Sequence, residues 1–141
     1  MKQIVTIHTD GACKGNPGLG AWAATLEYKD ALKEISGVVE NTTNNRMELQ
    51  AVIEALKIMK RTCQIEIYTD SQYVQKGISE WIHGWKKKNW KNVKNIDLWQ
   101  ELDLLASTHK ISWHWVRGHD GHPGNERADE LANLAIAAYQ R

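Results

Sequence analysis

Residues 44–71 read "NNRMELQAVIEALKIMKRTCQIEIYTDS", a helical pattern followed at once by a strand pattern. Over 44–60 the apolar residues recur at helical spacing and form one stripe: Leu49, Val52, Ile53, Leu56 and Met59. Over 64–70, "QIEIYTD" alternates apolar and polar residues, as a half-buried strand does. Because strands separated by helices need crossover connections, they pair in parallel, and this stretch predicts an α/β fold.

The segments on either side extend this prediction. Strand-like patterns precede the stretch at roughly 3–10, 20–28 and 32–40, and their short connections predict an antiparallel meander. The later segments are, in order, a helix from Ser71 through the lysine run, a helix over 95–107, a strand over 111–116, a loop over 117–124 and a helix over 125–139. We therefore expect a single α/β domain over residues 1–141, with helices flanking a mixed sheet of about five strands.

The composition is that of an ordinary globular chain, with 42% hydrophobic and 25% charged residues among 141. No apolar run approaches the ~18 residues of a membrane span, and "MKQIVTIHTD" is too polar for a secretory signal. Cys13 and Cys63 lack disulfide-framework or metal-site spacing, which predicts free thiols in a reducing cytoplasm. We expect a cytoplasmic monomer without membrane association or an obligate protein partner.

Four acids lie at the starts or ends of predicted elements, at what should be one edge of the sheet: Asp10, Glu48, Asp70 and Asp129. Ligand sites of α/β sheets form beyond the carboxyl ends of the strands. Crowded carboxylates repel one another unless a cation lies between them. Oxygen ligands suit Mg²⁺ or Mn²⁺, and two such ions about 4 Å apart form the clamp used for displacement at phosphorus. Together the four acids predict a metal-dependent site for phosphoryl chemistry.

Each acid also has an ordinary structural explanation. Asp10 fits a turn, and Asp70 fits the N-cap of the next helix. Glu48 fits a capping box in which Asn45 is the N-cap. Asp129 fits the first turns of a helix, where acids complement the dipole. For any one acid the sequence leaves both explanations open, and only their joint placement favours the metal site.

Residues 76–94 form a basic segment, with six lysines and one acid, whereas the net charge of the whole chain is only +1. Within it "WIHGWKKKNW" (81–90) alternates tryptophan with lysine. Such a patch predicts contact with a polyanion, because lysines that bind phosphates release counterions. The alternative is a surface helix with inward tryptophans and solvated lysines. The candidate contact residues are Trp81, Trp85, Lys86, Lys87 and Lys88.

Five segments resemble the bacterial type I ribonuclease H family, in the family's order and over about residues 3–138: "TDGACKGNPG", "NNRMELQAVIEAL", "YTDSQYV", "WIHGWKKKNW" and "VRGHDGHPGNERADELA". The resemblance implies a ribonuclease H-like fold and hydrolysis of the RNA strand of RNA–DNA hybrids, leaving 5′-phosphate and 3′-hydroxyl ends. It implies that the four acids hold Mg²⁺, two ions with substrate, and that Mn²⁺ substitutes. Little sequence specificity is expected, because contacts to sugar and phosphate carry little sequence information.

The resemblance also assigns roles outside the acids. His119 matches a mobile histidine that assists proton transfer or product release, and His122 matches a structural one. The glycines after Asp10 are expected to let a nucleic-acid backbone approach. The positions matched to the groove and the RNA side are Cys13, Asn16, Asn44, Asn45 and Gln72, and those matched to a DNA-phosphate pocket are Thr43 and Asn95.

The basic segment matches the family's basic protrusion, which holds the DNA strand between tryptophan faces. The stretch between Trp90 and Asn95 is shorter than in many relatives, and Gly84 stands where Asn is frequent. We therefore expect weaker hybrid affinity with intact catalysis. No functional role is predicted for His8 or His114.

Two other functions fit part of this pattern. A DNA resolvase or integrase-like nuclease would share the fold and the acids, but Asn44, Asn45 and Gln72, together with the basic segment, favour a hybrid. A hybrid-binding module that has lost catalysis would lack a carboxylate, and all four are present.

Overall fold

A computed structural model describes residues 4–117 and 122–140. Five strands form one mixed sheet in the order β3-β2-β1-β4-β5, with the bounds β1 (Ile4–Gly15), β2 (Gly18–Tyr28), β3 (Ala31–Thr42), β4 (Gln64–Thr69) and β5 (Lys110–Trp115). The first three strands pair antiparallel, whereas β4 pairs in parallel with β1 and with β5. The predicted fold class, the meander and the parallel half of the sheet are confirmed.

Helices cover both faces of the sheet, with the bounds α1 (Asn44–Lys57), α2 (Gln72–Lys76), α3 (Ile82–Lys87), α4 (Ile96–Ala106) and α5 (Pro123–Tyr139). The larger core lies under α1 and α4 around the fully buried Trp99, and α5 covers a smaller alanine-rich core on the other face. A π-helical turn (Gly77–Trp81) joins α2 to α3. Gly77 permits this path, since a Cβ there would lie 2.0 Å from the Trp99 ring. None of the helices in the described residues has the length and apolar content that a bilayer span requires.

The predicted glycine-rich loop after residue 10 was wrong, because β1 continues through Gly15 as one arm of a hairpin with β2. Asp10 therefore lies inside a strand, opposite Ala23. The parallel ladder between β1 and β4 nevertheless ends one residue earlier, at the pair Thr9 and Thr69. Asp10 and Asp70 thus both follow the last parallel pair, at the edge where α/β sheets form their ligand sites.

Candidate metal and nucleic-acid site

Three of the four predicted acids converge at the carboxyl edge of the parallel strands. Asp10, Glu48 and Asp70 each offer a carboxylate oxygen, and these oxygens all lie within 4.8 Å of one another. They come from β1, from the N-terminal half of α1 and from the residue after β4. We call these three residues the acid cluster.

Helix α1 reaches the strand because position 11 is a glycine. A Cβ on Gly11 would lie 2.6 Å from the backbone nitrogen of Glu48 and 2.6 Å from the carbonyl carbon of Met47. No side chain fits that space, so the glycine brings Glu48 beside Asp10. At this position the glycine makes room for the backbone of α1, and the approach of a nucleic-acid backbone along these glycines stays a prediction.

The N-caps of α1 and α2 are not the residues that the capping explanations of Glu48 and Asp70 require, which are Asn45 and Asp70. Thr43 is the N-cap of α1, with its hydroxyl accepting a hydrogen bond from the Arg46 amide at 3.2 Å. Ser71 is the N-cap of α2. The capping-box explanation of Glu48 and the N-cap explanation of Asp70 were therefore wrong, which leaves both carboxylates free for another purpose.

The acid cluster is electrostatically unbalanced. Asp10 and Glu48 are only 5% and 6% exposed, and the Oε1 atom of Glu48 is buried without a hydrogen-bond partner. Burial, followed by the charges of Glu48 and Asp70, raises the pKa of Asp10 well above its ordinary value. Burial and the charge of Asp70 likewise raise the pKa of Glu48. Buried carboxylates of this kind are stable in ionised form only beside a positive charge.

Asp129 lies beside the acid cluster, outside the group of three. It contacts Asp10, whose pKa it raises through a side-chain hydrogen bond and through its charge. Asn133 donates to the Asp129 carboxylate at 3.3 Å and to its backbone carbonyl at 2.9 Å. Glu126 and Glu130 on the same helix are exposed, whereas Asp129 is half-buried.

The residues matched to the groove lie on the β1–β2 hairpin and at the starts of α1 and α2. Asn16 Oδ1 accepts a hydrogen bond from the Asn44 amide at 3.1 Å, which ties the β1–β2 turn to the start of α1. Asn45 and Gln72 are exposed at the first turns of α1 and α2, next to the acid cluster in the chain. Cys13 is half-buried, and its thiol donates to a backbone carbonyl at the end of β3 at 3.4 Å. Three sequence-distant segments therefore present exposed amides, and two of them carry a residue of the acid cluster or directly follow one.

Thr43 and Asn95, the two residues matched to the DNA-phosphate pocket, both accept hydrogen bonds from Arg46. Its backbone amide donates to Thr43, and its Nη1 donates to Asn95 Oδ1 at 3.2 Å. Asn95 in turn donates from Nδ2 to the Tyr73 hydroxyl at 3.0 Å. Arg46 also forms an ion pair with Asp97 at 2.7 Å. The sequence reasoning missed Arg46, although a cation in the first turn of a helix, opposed by the dipole, is a usable signal of another role.

The tryptophans of the basic segment divide between packing and exposure. Trp85 is half-buried, and its ring centroid lies 5.1 Å from that of Trp99 and 6.1 Å from that of Trp90. Trp81 is 40% exposed. The inward-packing explanation therefore holds for Trp85, whereas Trp81 presents an open face.

The lysines divide in the same way. Lys86 pairs with Asp103 of α4 at 2.8 Å. Lys87 and Lys88 are exposed, and in the described part of the chain neither forms an ion pair. His119 lies outside the described residues, so its role stays a prediction.

Comparison with known proteins places this geometry in a family. The RNase H family model matches residues 2–137. The chain is 63% identical over 144 residues to the Ribonuclease H of Cupriavidus necator, covering 99% of each chain, and 64% identical to that of Cupriavidus metallidurans, covering 96% of this chain and 97% of that one.

Solved structures agree. LC9-RNase H1, described as a type 1 RNase H with the type 2 active-site motif, is similar with a TM-score of 0.90 and 32% identity, covering 98% of this chain and 74% of that one. LC11-RNase H1, solved in complex with RNA/DNA hybrid, shares the fold with a TM-score of 0.76 and 21% identity, covering 97% and 99% of the two chains. On the strength of the family model and of relatives matched along their whole length, the chain belongs to the RNase H family.

Proposed function

We propose that this chain is a metal-dependent endonuclease that hydrolyses the RNA strand of RNA–DNA hybrids, leaving 5′-phosphate and 3′-hydroxyl ends, with residues 1–141 as its single catalytic domain. The observation that carries the proposal is the acid cluster, in which a buried Glu48 oxygen lacks a partner. Exposed amides at the starts of α1 and α2 and exposed lysines of the basic segment supply the hydrogen bonds and charge that a nucleic acid needs.

The acid cluster fits Mg²⁺. Its donors are hard carboxylate oxygens within 4.8 Å of one another, which suits Mg²⁺ or Mn²⁺ better than zinc. Asp10, Glu48 and Asp70 would hold the cation, with Asp129 beside Asp10 as the fourth ligand when substrate brings a second ion. When bound, two such ions supply an activated water and stabilise the leaving oxygen.

The remaining residues bind and orient the hybrid. The hydroxyl at the 2′ position distinguishes RNA from DNA, and Glu48 is placed to accept a hydrogen bond from it. Amides both donate and accept, so Asn16, Asn44, Asn45 and Gln72 suit the edges of a minor groove. Arg46, Thr43 and Asn95 form the pocket for a DNA phosphate, and Lys87 and Lys88 with Trp81 contact the DNA strand further out. His119 helps protons or product leave the site.

The test is cleavage of three matched duplexes at equal concentration: an RNA–DNA hybrid, duplex DNA and duplex RNA. We expect Mg²⁺-dependent cleavage of the RNA strand of the hybrid alone, and a chelator should stop it. The products should carry a 5′-phosphate that phosphatase removes. Comparable cleavage of duplex DNA would instead assign the chain to another nuclease of this fold. Hybrid binding without cleavage would identify a binding module.

We infer that the protein acts as a monomer in the cytoplasm. Both cysteines are free thiols, which is compatible with a reducing compartment. Light scattering on the purified protein at working concentration tests the first inference, with a mass near the chain's 16.1 kDa expected.

A further inference from the structure

Three aromatic rings are stacked across the face of the sheet that α5 covers, and the proposed function uses none of them. His8, Tyr68 and His114 occupy paired register positions on β1, β4 and β5. The ring centroids are 4.9 Å and then 4.6 Å apart, with 16° between the ring planes in each pair. At the outer end, His114 Nε2 lies 2.6 Å from Glu66 Oε1. We call the three rings the ring stack.

The first turn of α5 stands directly on the inner end of the ring stack. A Cβ on Gly124 would lie 2.4 Å from three atoms of the His8 ring, so the helix backbone already touches it. The ring has little room to move, because His8 is 7% exposed and stacked on Tyr68. His122, just before α5, adds a fourth ring, whose centroid lies 5.0 Å from that of His8.

Strand β1 and helix α5 connect the contact between His8 and Gly124 to the acid cluster. His8 and Asp10 lie two residues apart on β1, so both project from the same face of the sheet. Gly124 and Asp129 lie on the same helix, and Asp129 contacts Asp10. A change in the height of α5 above His8 therefore changes how Asp129 meets Asp10.

We propose that the ring stack, with Gly124 seated on His8, is a positioning device that sets Asp129 against Asp10. The inference rests on the proposed function, since its consequence is metal binding during hybrid cleavage. His8 and Gly124 are positioning residues, because both act through Asp129. A bulkier residue at 124 lifts the start of α5, and a loosened ring stack lets it tilt.

A double-mutant cycle tests the contact. Gly124→Ala adds the Cβ that His8 obstructs, so we expect about a tenfold rise in the Mg²⁺ concentration for half-maximal cleavage, the size seen when support behind a metal ligand is lost. His8→Ala removes the obstacle, so the variant with both changes should need less Mg²⁺ than Gly124→Ala alone. Leu134→Ala, at a 54% exposed site on the same helix, is the control and should leave the requirement unchanged.

Other readouts separate positioning from packing. A packing role lowers the melting temperature of Gly124→Ala and leaves both the Mg²⁺ requirement and the Mg²⁺-induced rise in melting temperature unchanged, which would overturn the proposal. A double variant no better than Gly124→Ala would overturn it too. Should Gly124→Ala not fold, Glu66→Gln, which weakens the outer end of the ring stack, must raise the Mg²⁺ requirement by itself or the proposal fails. Absence of hybrid cleavage by the unmodified chain contradicts the proposed function instead.

Discussion

The acid cluster and the basic segment carry opposite charges and are built in opposite ways. The acid cluster joins three residues from distant parts of the chain, of which Asp10 and Glu48 are buried and Asp70 is half-buried, and close backbone packing at Gly11 brings α1 to the strand. The basic segment is continuous in sequence, and its free lysines project into solvent. Its path after α3 is set by local conformation, with positive φ angles at Asn89, Trp90, Asn92 and Asn95.

The difference teaches what each region can do. Buried carboxylates carry an electrostatic cost that a bound cation relieves, so under the proposed function we expect the acid cluster to favour small, highly charged ions. Exposed lysines cost little to leave unpaired, so we expect the basic segment to bind phosphates weakly and in a salt-dependent way. Loss of one residue should therefore be severe in the acid cluster and mild in the basic segment.

The largest expected effect follows from Asp10→Asn. The amide keeps the size of the side chain but loses the charge that the cation needs, so we expect Mg²⁺-dependent cleavage to fall by about a thousandfold or more. Hybrid binding, measured by fluorescence anisotropy, should survive, since the contact residues are untouched. Unchanged cleavage by this variant would refute the metal assignment.

The second-largest expected effect is on the thermal stability of the metal-free protein. The raised pKa values of Asp10 and Glu48 mean that the folded protein keeps protons that the unfolded chain releases above its ordinary carboxyl pKa of ~4. Stability of the metal-free protein is therefore greatest below that pKa and falls as the pH rises through the raised values. Asn at position 10 has no proton to take up on folding, so the melting temperature of Asp10→Asn in chelator should exceed the parent's by several degrees near pH 8 and by little near pH 4.

Adding Mg²⁺ to both proteins tests whether the cation binds at the acid cluster. It should raise the melting temperature of the parent protein, because an ion that binds only the folded state stabilises it. The same addition should have a much smaller effect on Asp10→Asn. An equal rise for both proteins would place the ion elsewhere.

A moderate effect is expected in the basic segment. Changing Lys87 and Lys88 together to Ala should raise KM for the hybrid and reduce the slope of log affinity against log salt by about two, at unchanged kcat. Lys86→Ala should change the slope of log affinity against log salt less, because its main effect is loss of the ion pair with Asp103. Lys60→Ala, at an exposed site beyond the far end of α1, is the control. A slope that stays the same in the double variant would remove these lysines from the interface.

The smallest expected effect concerns Gly84. A Cβ there would meet nothing within 4 Å, so larger residues fit. Gly84→Asn should strengthen hybrid binding by about threefold, the worth of one net hydrogen bond. Gly84→Ala controls for the gain in helix propensity. Equal affinities for the Asn and Ala variants would show that the amide makes no contact.

Much of the fold was predictable from local pattern. The strands and helices were placed to within a few residues because their apolar periodicities are clear, but the extension of β1 through Gly15 and the π-helical turn over Gly77–Trp81 were missed. Glycine is a poor strand residue on its own, and pairing with β2 overrides that preference. The caps were misassigned at Asn45 and Asp70 because several neighbouring residues have capping side chains, and only the backbone path selects Thr43 and Ser71.

The sequence by itself determined the order of elements, the mixed sheet and the set of acids that α/β topology carries to one edge, since these follow from periodicity and connectivity along the chain. Tertiary structure alone decided which three carboxylates form the acid cluster, that Lys86 is engaged by Asp103, and that Gly124 rests on His8. The reason is that such contacts depend on the height and angle at which helices pack on the sheet. Those distances are fixed to a fraction of an ångström by side chains far apart in sequence, and no local pattern encodes them.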